Sequence, residues 1–501
     1  MCGILLVKCR QNVPVEQHLA AVKYIQPRGP DFLRYEYKNN IFIAQSVLHI
    51  TGNREYYTSP HQDFLAYNGE IYNYQEHGHY SNDIELVAGA VPDHLDQFRQ
   101  FRGPWAWAWT DFDRVLYASD PQGEKSLFRY QDNDILIVSS EISAILHYVK
   151  ITAQAQTYSS RHWPIHTQTP YAGIERIAPG QVFDWAQTAR KIDSIFDWVR
   201  PVQYQTIDQA YEEFVPIWQR TIREMTPSVP AGLAFSGGVD SSCILAAMPD
   251  LAHLYTINNT GKETVSCRAR EFLTEQQQSR LIELPVDAET WAEQLQAVMS
   301  HTRLPALSWS FVGQWNISQH CEERVLFTGV GADELHGGYE VYQRLQFSTA
   351  HCTSPYSDRL SVQWQQCLDC YDQDPVQATL LQDYLTQCCA VDLRGIDLVT
   401  QAHGVEPRSP FVNPAMIKFA LNLPVKYKQG KPLLKRLFLE TWPQELLLPK
   451  QGFAGHCNDS YAWLGIDIPR VEDRDQDWKN MLTASFLRSQ TKQSLDQTTP
   501  Q

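Results

Sequence analysis

Residues 232–248 join three segments of different character without a break. Gly232-Leu-Ala-Phe235 is a short apolar run, Ser236-Gly-Gly-Val-Asp-Ser-Ser242 is rich in glycine and hydroxyls, and Cys243-Ile-Leu-Ala-Ala-Met248 has the composition of a buried helix. A strand that turns through glycines into a helix is the unit of a parallel α/β sheet, whose ligands gather at the carboxyl ends of the strands. The glycines expose backbone N–H groups, the hydroxyls add donors, and a helix N-terminus favours an anion. The loop lacks the Gly-x-x-x-x-Gly-Lys-Ser/Thr spacing of a γ-phosphate-transferring P-loop.

Further strands are expected at His253–Ile257 and Arg324–Phe327, with a helix over Asp208–Met225 and a mainly helical chain after residue 340. The N-terminal part reads differently. Ile41–Ala44, Phe64–Tyr67, Trp105–Trp109, Val115–Ala118 and Ile135–Val138 are β-rich runs bounded by turn signals, and Val15–Ile25 and Ile84–Val91 have helical spacing. That pattern suggests packed sheets with covering helices. A polar, proline-containing change between Asp184 and Ala210 places a boundary near 195. The expected units are 1–195, 196–482 and a flexible tail, 483–501, rich in Ser, Thr, Gln and Asp.

A chain of 501 residues exceeds what one core usually supports. Its net charge of -15 argues against a general nucleic-acid binder. No apolar run approaches the roughly 20 residues of a membrane span, and the first ten residues lack the charged and apolar regions of a secretory signal. Eleven cysteines without a regular framework fit free thiols in a reducing cytoplasm. Cys367 and Cys370, with the adjacent pair Cys388 and Cys389, miss the spacing of a four-thiolate zinc site, so no structural zinc is expected.

The second chemically pointed string is Met1-Cys2-Gly3-Ile4. Once Met1 is removed, Cys2 carries a thiol beside a free α-amine, a base with an ordinary pKa of about 8. Small Gly3 would let the backbone approach a substrate. Arg28-Gly29-Pro30-Asp31, Asn68-Gly69-Glu70-Ile71-Tyr72-Asn73, Ser81-Asn82-Asp83, Asp120–Phe128 and Ser140-Glu141 follow. Read alone, Asn68-Gly69 is also a hairpin signal and Asp83 also a helix cap.

Together these strings resemble class II glutamine amidotransferases over most of residues 1–190. The resemblance implies an αββα N-terminal-nucleophile hydrolase sandwich. It also implies that Cys2 attacks the glutamine carboxamide, with Asn68 and Gly69 as oxyanion hole and Glu70 and Asp83 holding the substrate ammonium.

The Ser236–Ser242 loop resembles that of N-type ATP pyrophosphatases, which adenylate a substrate and release pyrophosphate. Thr328–Tyr339 (Thr-Gly-Val-Gly-Ala-Asp-Glu-Leu-His-Gly-Gly-Tyr), His403–Phe411, Gly430-Lys431 and Pro449–Phe453 resemble asparagine synthetase motifs. With the amidotransferase half, the chain resembles glutamine-hydrolysing asparagine synthetases over nearly its whole length. The implied C-terminal fold is a parallel-sheet adenine nucleotide α-hydrolase-like domain with a helical C-terminal part. The implied cofactors are ATP and Mg²⁺. Ser236, Gly237, Gly238, Asp240 and Ser241 would cradle pyrophosphate, Asp240 and Asp333 would hold Mg²⁺, and Lys431 and Lys450 would neutralise phosphate charge. Glu406 and Arg408 read as a structural pair within a turn and stay outside the site.

Two positions depart from the family pattern. Val47 stands where an arginine commonly pairs with the glutamine carboxylate, and Arg54 is a nearby substitute. Val330 stands where the family has an acidic residue that helps the amine attack the adenylate, and Glu334 is a candidate replacement. The expected reaction joins aspartate, glutamine and ATP to give asparagine, glutamate, AMP and pyrophosphate through a β-aspartyl-adenylate and internally transferred ammonia. The alternatives are an amidotransferase for another carboxylate, an intramolecular amide-forming cyclase, or a non-catalytic relative. The expected partners are these small molecules, with no nucleic acid and no membrane, and there is room for a homodimer.

Overall fold

The computed structural model describes residues 2–50, 63–153, 167–186, 188–259, 270, 273–306, 308, 310–339, 342 and 362–447. The strands, in chain order, are β1 (Cys2–Cys9), β2 (Phe32–Lys38), β3 (Ile41–Val47), β4 (Phe64–Gly69), β5 (Trp105–Thr110), β6 (Val115–Ser119), β7 (Phe128–Gln131), β8 (Ile135–Ser139), β9 (Ile174–Arg176), β10 (Gln181–Asp184), β11 (Ala189–Lys191), β12 (Ala231–Ala234), β13 (Leu254–Asn259), β14 (Leu281–Val286), β15 (Val325–Phe327) and β16 (Glu406–Arg408).

Side-chain alternation builds the N-terminal half as four layers. One antiparallel sheet runs β2-β3-β1-β8-β7-β9 and the other β11-β10-β6-β5-β4. Ile4 and Leu6 of β1 meet Ala66, Ala106 and Ala108 between the sheets, where small residues let the backbones come close. Their neighbours Leu5 and Val7 face outward under the helices Val15–Val22 and Ile142–Tyr148. On the other side Trp105, Trp107 and Trp109 fill the outer layer beneath the helix Asp83–Ala90. The Trp-Ala alternation of β5 thus separates a thin inter-sheet layer from a thick sheet–helix layer.

The C-terminal half carries a fully parallel sheet in the order β14-β13-β12-β15-β16. Because β12 is central, the chain goes one way to β13 and β14, then returns past β12 to β15 and β16. The switch point therefore falls between β12 and β15, and open parallel sheets bind ligands in the crevice outside the carboxyl ends of the strands at such a point. The helices Ile207–Met225, Val239–Ala247 and Pro432–Leu439 pack on one face through Phe214, Trp218, Leu245 and Leu434. The helices Ala288–Thr302, Ser310–His320 and Arg394–Gln401 cover the other.

Eight strands were not foreseen: β1, β2, β7, β9, β10, β11, β14 and β16. Glu406-Pro-Arg408 is not a turn but the edge strand β16, parallel to β15. A proline is tolerated there because an edge strand has one unpaired side. Cys367, Cys370, Cys388 and Cys389 are free thiols, and among the described residues no group of three or more His, Cys, Asp or Glu side chains is placed to hold a metal. Among the same residues no helix is long and apolar enough to cross a membrane.

Candidate active sites

The first site forms where β1 begins. Cys2 is buried and lies opposite Val47 in the β1–β3 register. Its main-chain N–H donates to Asn68 Oδ1 at 3.0 Å. Asn68 Nδ2 is buried and has no hydrogen-bond partner among the described residues. A buried amide donor without a partner is costly in a finished fold and useful at a site that must receive an oxyanion. Gly69 ends β4 beside Asn68, where a Cβ would strike the Pro104 carbonyl and the Trp105 backbone. Gly3 has a different reason from the one expected. A Cβ there would strike Ile25 and Ser46, so it serves close packing on the segment before Arg28.

Asp83 opens its helix, and its Oδ2 accepts the Tyr67 hydroxyl at 3.1 Å and the Ile71 N–H at 2.9 Å. These bonds hold the carboxylate over the Asn68–Ile71 segment. Glu70 points across the molecule instead: its Oε1 accepts from Arg408 Nη2 at 2.5 Å. Val47 is fully buried within β3, so this position offers no cation to a substrate carboxylate. Arg54, named as its substitute, lies outside the described residues. Arg28 is also buried, pairing with Glu141 and Asp397 at 2.8 Å each.

The second site lies at the switch point. Gly237 takes a positive φ of 69° to start the turn, and Gly238 caps the helix Val239–Ala247. The Ser236 and Ser241 hydroxyls lie 3.2 Å apart, and the Gly238 N–H donates to Ser236 Oγ at 3.3 Å. Asp240 points from the first helical turn toward the loop after β15. The Lys431 ammonium bridges the two loops, 2.7 and 2.6 Å from the Asp240 oxygens and 2.6 Å from Asp333 Oδ1. Burial opposes its charge, but the two carboxylates outweigh burial and hold the lysine above its ordinary pKa. Gly338 makes room for this cluster: a Cβ there would collide with Asp333 Oδ1 and Lys431 Cε. Lys450 lies outside the described residues.

Around Asp333 the electrostatics are unusual. Burial, with Asp392 and Asp333 nearby, pushes the Glu334 carboxyl up, and the Tyr339 hydroxyl donates to it. Val330 packs against an apolar cluster that includes Leu385, Cys388 and Cys389. Its carbonyl accepts from Ser409 Oγ at 2.6 Å.

Buried charges join the two sites. Lys125 lies 2.8 Å from Glu406 and 3.5 Å from Asp397, while the Ser126 N–H donates to Asp397 Oδ2 at 3.3 Å. Burial would raise the Asp397 pKa, but Arg28 and Lys125 outweigh it and hold the carboxyl below its usual value. Glu406 and Arg408 are thus not partners of each other: each pairs with the opposite half. Single-sequence reading missed both because nothing in a three-residue strand tells which distant element it will face.

A thiol at the start of a sheet, joined to a nucleotide-type crevice of a parallel sheet, defines a two-part amidotransferase. The glutamine amidotransferase domain model matches residues 1–196, and the asparagine synthase model matches residues 219–466. The chain belongs to the glutamine-hydrolysing asparagine synthetase family, whose members use glutamine and ATP to form amides. It is 24% identical over 425 residues to the putative asparagine synthetase [glutamine-hydrolyzing] 1 of Methanocaldococcus jannaschii, covering 80% of this chain and 72% of that protein. It is 25% identical over 347 residues to asparagine synthetase [glutamine-hydrolyzing] 1 of Bacillus subtilis, covering 63% and 54%. With amidase chyE of Penicillium rubens it shares 22% identity over 336 residues, covering 59% and 50%. The matched stretch thus spans about half the length of the latter two relatives.

Proposed function

We propose that this chain makes asparagine from aspartate, glutamine and ATP, releasing glutamate, AMP and pyrophosphate. The observation that carries the reading is the Asn68 amide, anchored by Oδ1 on the Cys2 N–H with Nδ2 buried and without a partner among the described residues. In the proposed cycle the Cys2 sulfur attacks the glutamine carboxamide, and Asn68 with Gly69 stabilises the oxyanion. The α-amine, freed by loss of Met1, passes the thiol proton to departing ammonia, and water hydrolyses the thioester to glutamate. Asp83 and Glu70 hold the substrate ammonium.

In the other half, Ser236, Gly237, Gly238 and Ser241 cradle pyrophosphate while the aspartate β-carboxylate displaces it from ATP. Ammonia then attacks the β-aspartyl-adenylate and AMP leaves. Mg²⁺ fits Asp240 and Asp333, two hard carboxylates from separate loops that already share one cation, the Lys431 ammonium. One or two carboxylates plus substrate phosphates is the usual protein share of a Mg²⁺ site. When bound, the metal supplies charge neutralisation at the phosphates, and Lys431 and Lys450 add to it. The proposed parts are a glutaminase of residues 1–195 and a synthetase of residues 196–482, working in the cytoplasm, with a homodimer as the proposed assembly.

The test is Cys2→Ala. Glutamine-supported synthesis should vanish while ammonium-supported synthesis survives, and loss of both would sink the division into two sites. A second reading is favoured by Val330, which cannot accept a proton: the acceptor is a carboxylate other than aspartate. Pyrophosphate release across a panel of carboxylates, with aspartate among them, separates the two.

A further inference from the structure

Arg408 touches both candidate sites at once. Its side chain reaches the N-terminal half: Nη2 donates to Glu70, two residues after Asn68, and the guanidinium lies 5.8 Å from the centre of the Tyr72 ring. Nη1 donates to the Met225 carbonyl, at the end of the helix Ile207–Met225. Its main chain adjoins the loop that follows β15, because the Arg408 carbonyl accepts the Thr328 N–H at 2.9 Å. The next residue, Ser409, holds the Val330 carbonyl. The loop between these two bonds continues into Asp333, and Gly329 within it packs on Asp240. One residue thus spans the distance from a carboxylate of the glutamine site to the loop that carries a carboxylate of the nucleotide site. It is almost fully buried, so neither end can move without displacing packed neighbours.

We propose that Arg408 is a positioning residue that couples nucleotide at the Asp240–Asp333 crevice to glutamine at Cys2, by sharing the Glu70 carboxylate with the incoming substrate ammonium. The inference rests on the glutaminase and synthetase roles proposed above and adds the link between them. Nucleotide and metal entering the crevice draw Asp240 and Asp333 away from Lys431 and shift the Thr328–Asp333 loop. That shift carries β16 and the Arg408 guanidinium with it, and so changes how much of the Glu70 charge faces glutamine. Coupling between two such sites typically changes affinity about 5- to 150-fold.

The experiment uses the full chain and 6-diazo-5-oxo-L-norleucine, a glutamine-like alkylating agent, with Cys2 labelling followed by mass spectrometry. The quantity read is the ratio of labelling rates with and without saturating ATP and Mg²⁺. For the native chain the expected ratio departs from one by about fivefold or more. In Arg408→Met it should fall to about one, and in Arg408→Lys it should be intermediate, since a lysine cannot reach Glu70 and the Met225 carbonyl together. Arg408→Met leaves the buried Glu70 without its cation, so the double variant Glu70→Gln/Arg408→Met removes both charges and serves where the single variant fails to fold. Its ratio should also be about one. A native ratio of one, or a native-like ratio in either methionine variant, overturns the coupling. Absence of Cys2 labelling under all conditions overturns the glutaminase reading instead, and the coupling with it.

Discussion

Asn68 Oδ1 accepts the Cys2 main-chain N–H at 3.0 Å, and this single bond decides which half of the amide is left for chemistry. With the oxygen committed to the scaffold, Nδ2 is the donor available to a developing oxyanion. Asn68→Asp keeps the acceptor and loses the donor, whereas Asn68→Ala loses both. Each should lower glutamine-supported kcat about 10²- to 10³-fold, the usual loss for one oxyanion donor. Ammonium-supported pyrophosphate release should be unchanged in both. Equal loss of the two activities would place Asn68 in the framework rather than in the reaction.

Asp83 predicts a different kinetic signature. Its Oδ2 is held by Tyr67 and Ile71, which fix the carboxylate without removing its charge. Asp83→Asn keeps the size and an acceptor oxygen but loses the attraction for an ammonium. A hydrogen bond to a charged group contributes about 1.5–3 kcal/mol, so the glutamine KM should rise about 10- to 100-fold. Because the ammonium does not react, kcat should stay within about twofold. A fall in kcat at constant KM in glutamate-release assays would overturn the assignment.

What could be read in advance follows from how local each signal is. The alternation Trp105-Ala-Trp-Ala-Trp109 contains its own layer assignment, and Ser236–Ser242 contains the turn, the donors and the helix start. Local periodicity also located half of the strands, those whose buried face repeats every second residue or forms a short apolar run. The bridging of Asp240 and Asp333 by Lys431 was only half legible, since the three residues were named but their mutual pairing was not. The Glu70–Arg408 and Lys125–Glu406 pairs were invisible: they join residues 338 and 281 positions apart, and no short-range pattern encodes such a meeting. Gly3 shows the same limit, with a motif glycine explained by the approach of Ile25 and Ser46.

His336 makes the crevice acid-sensitive. It is buried between Phe214 and Phe411, and its Nε2 has no hydrogen-bond partner among the described residues. Burial, followed by the Lys431 and Lys428 charges, pushes its pKa down to about 3 from an ordinary 6.5. The unfolded chain therefore binds a proton at this residue below pH 6.5 while the folded chain does not, until about pH 3. Stability contributed here is complete above pH 6.5 and falls as pH drops, by about 1.4 kcal/mol per unit. His336→Phe keeps a ring and removes the titration. Between about pH 7 and about pH 4.5 the variant should lose about 2–3 kcal/mol less than the native chain in urea unfolding. Parallel losses would show that the histidine is already charged in the fold.

Lys431 gives the sharpest test of the crevice as a cation site. It sits at a positive φ of 58°, a conformation that an ordinary side chain adopts only under constraint, and its ammonium is shared by Asp240 and Asp333. Lys431→Met keeps most of the aliphatic stem and leaves two partly buried carboxylates facing each other. Breaking a buried ion pair from one side costs about 3–5 kcal/mol, and partial exposure of Asp240 reduces this to about 2–4 kcal/mol. Divalent cation should then replace the missing charge: millimolar Mg²⁺ should raise the variant's unfolding midpoint markedly and the native chain's little. The added triple change Lys431→Met/Asp240→Asn/Asp333→Asn removes the demand for a cation and should abolish the Mg²⁺ response. If Mg²⁺ stabilises all three proteins equally, the metal binds elsewhere and the pair Asp240–Asp333 is held by lysine for structural reasons alone.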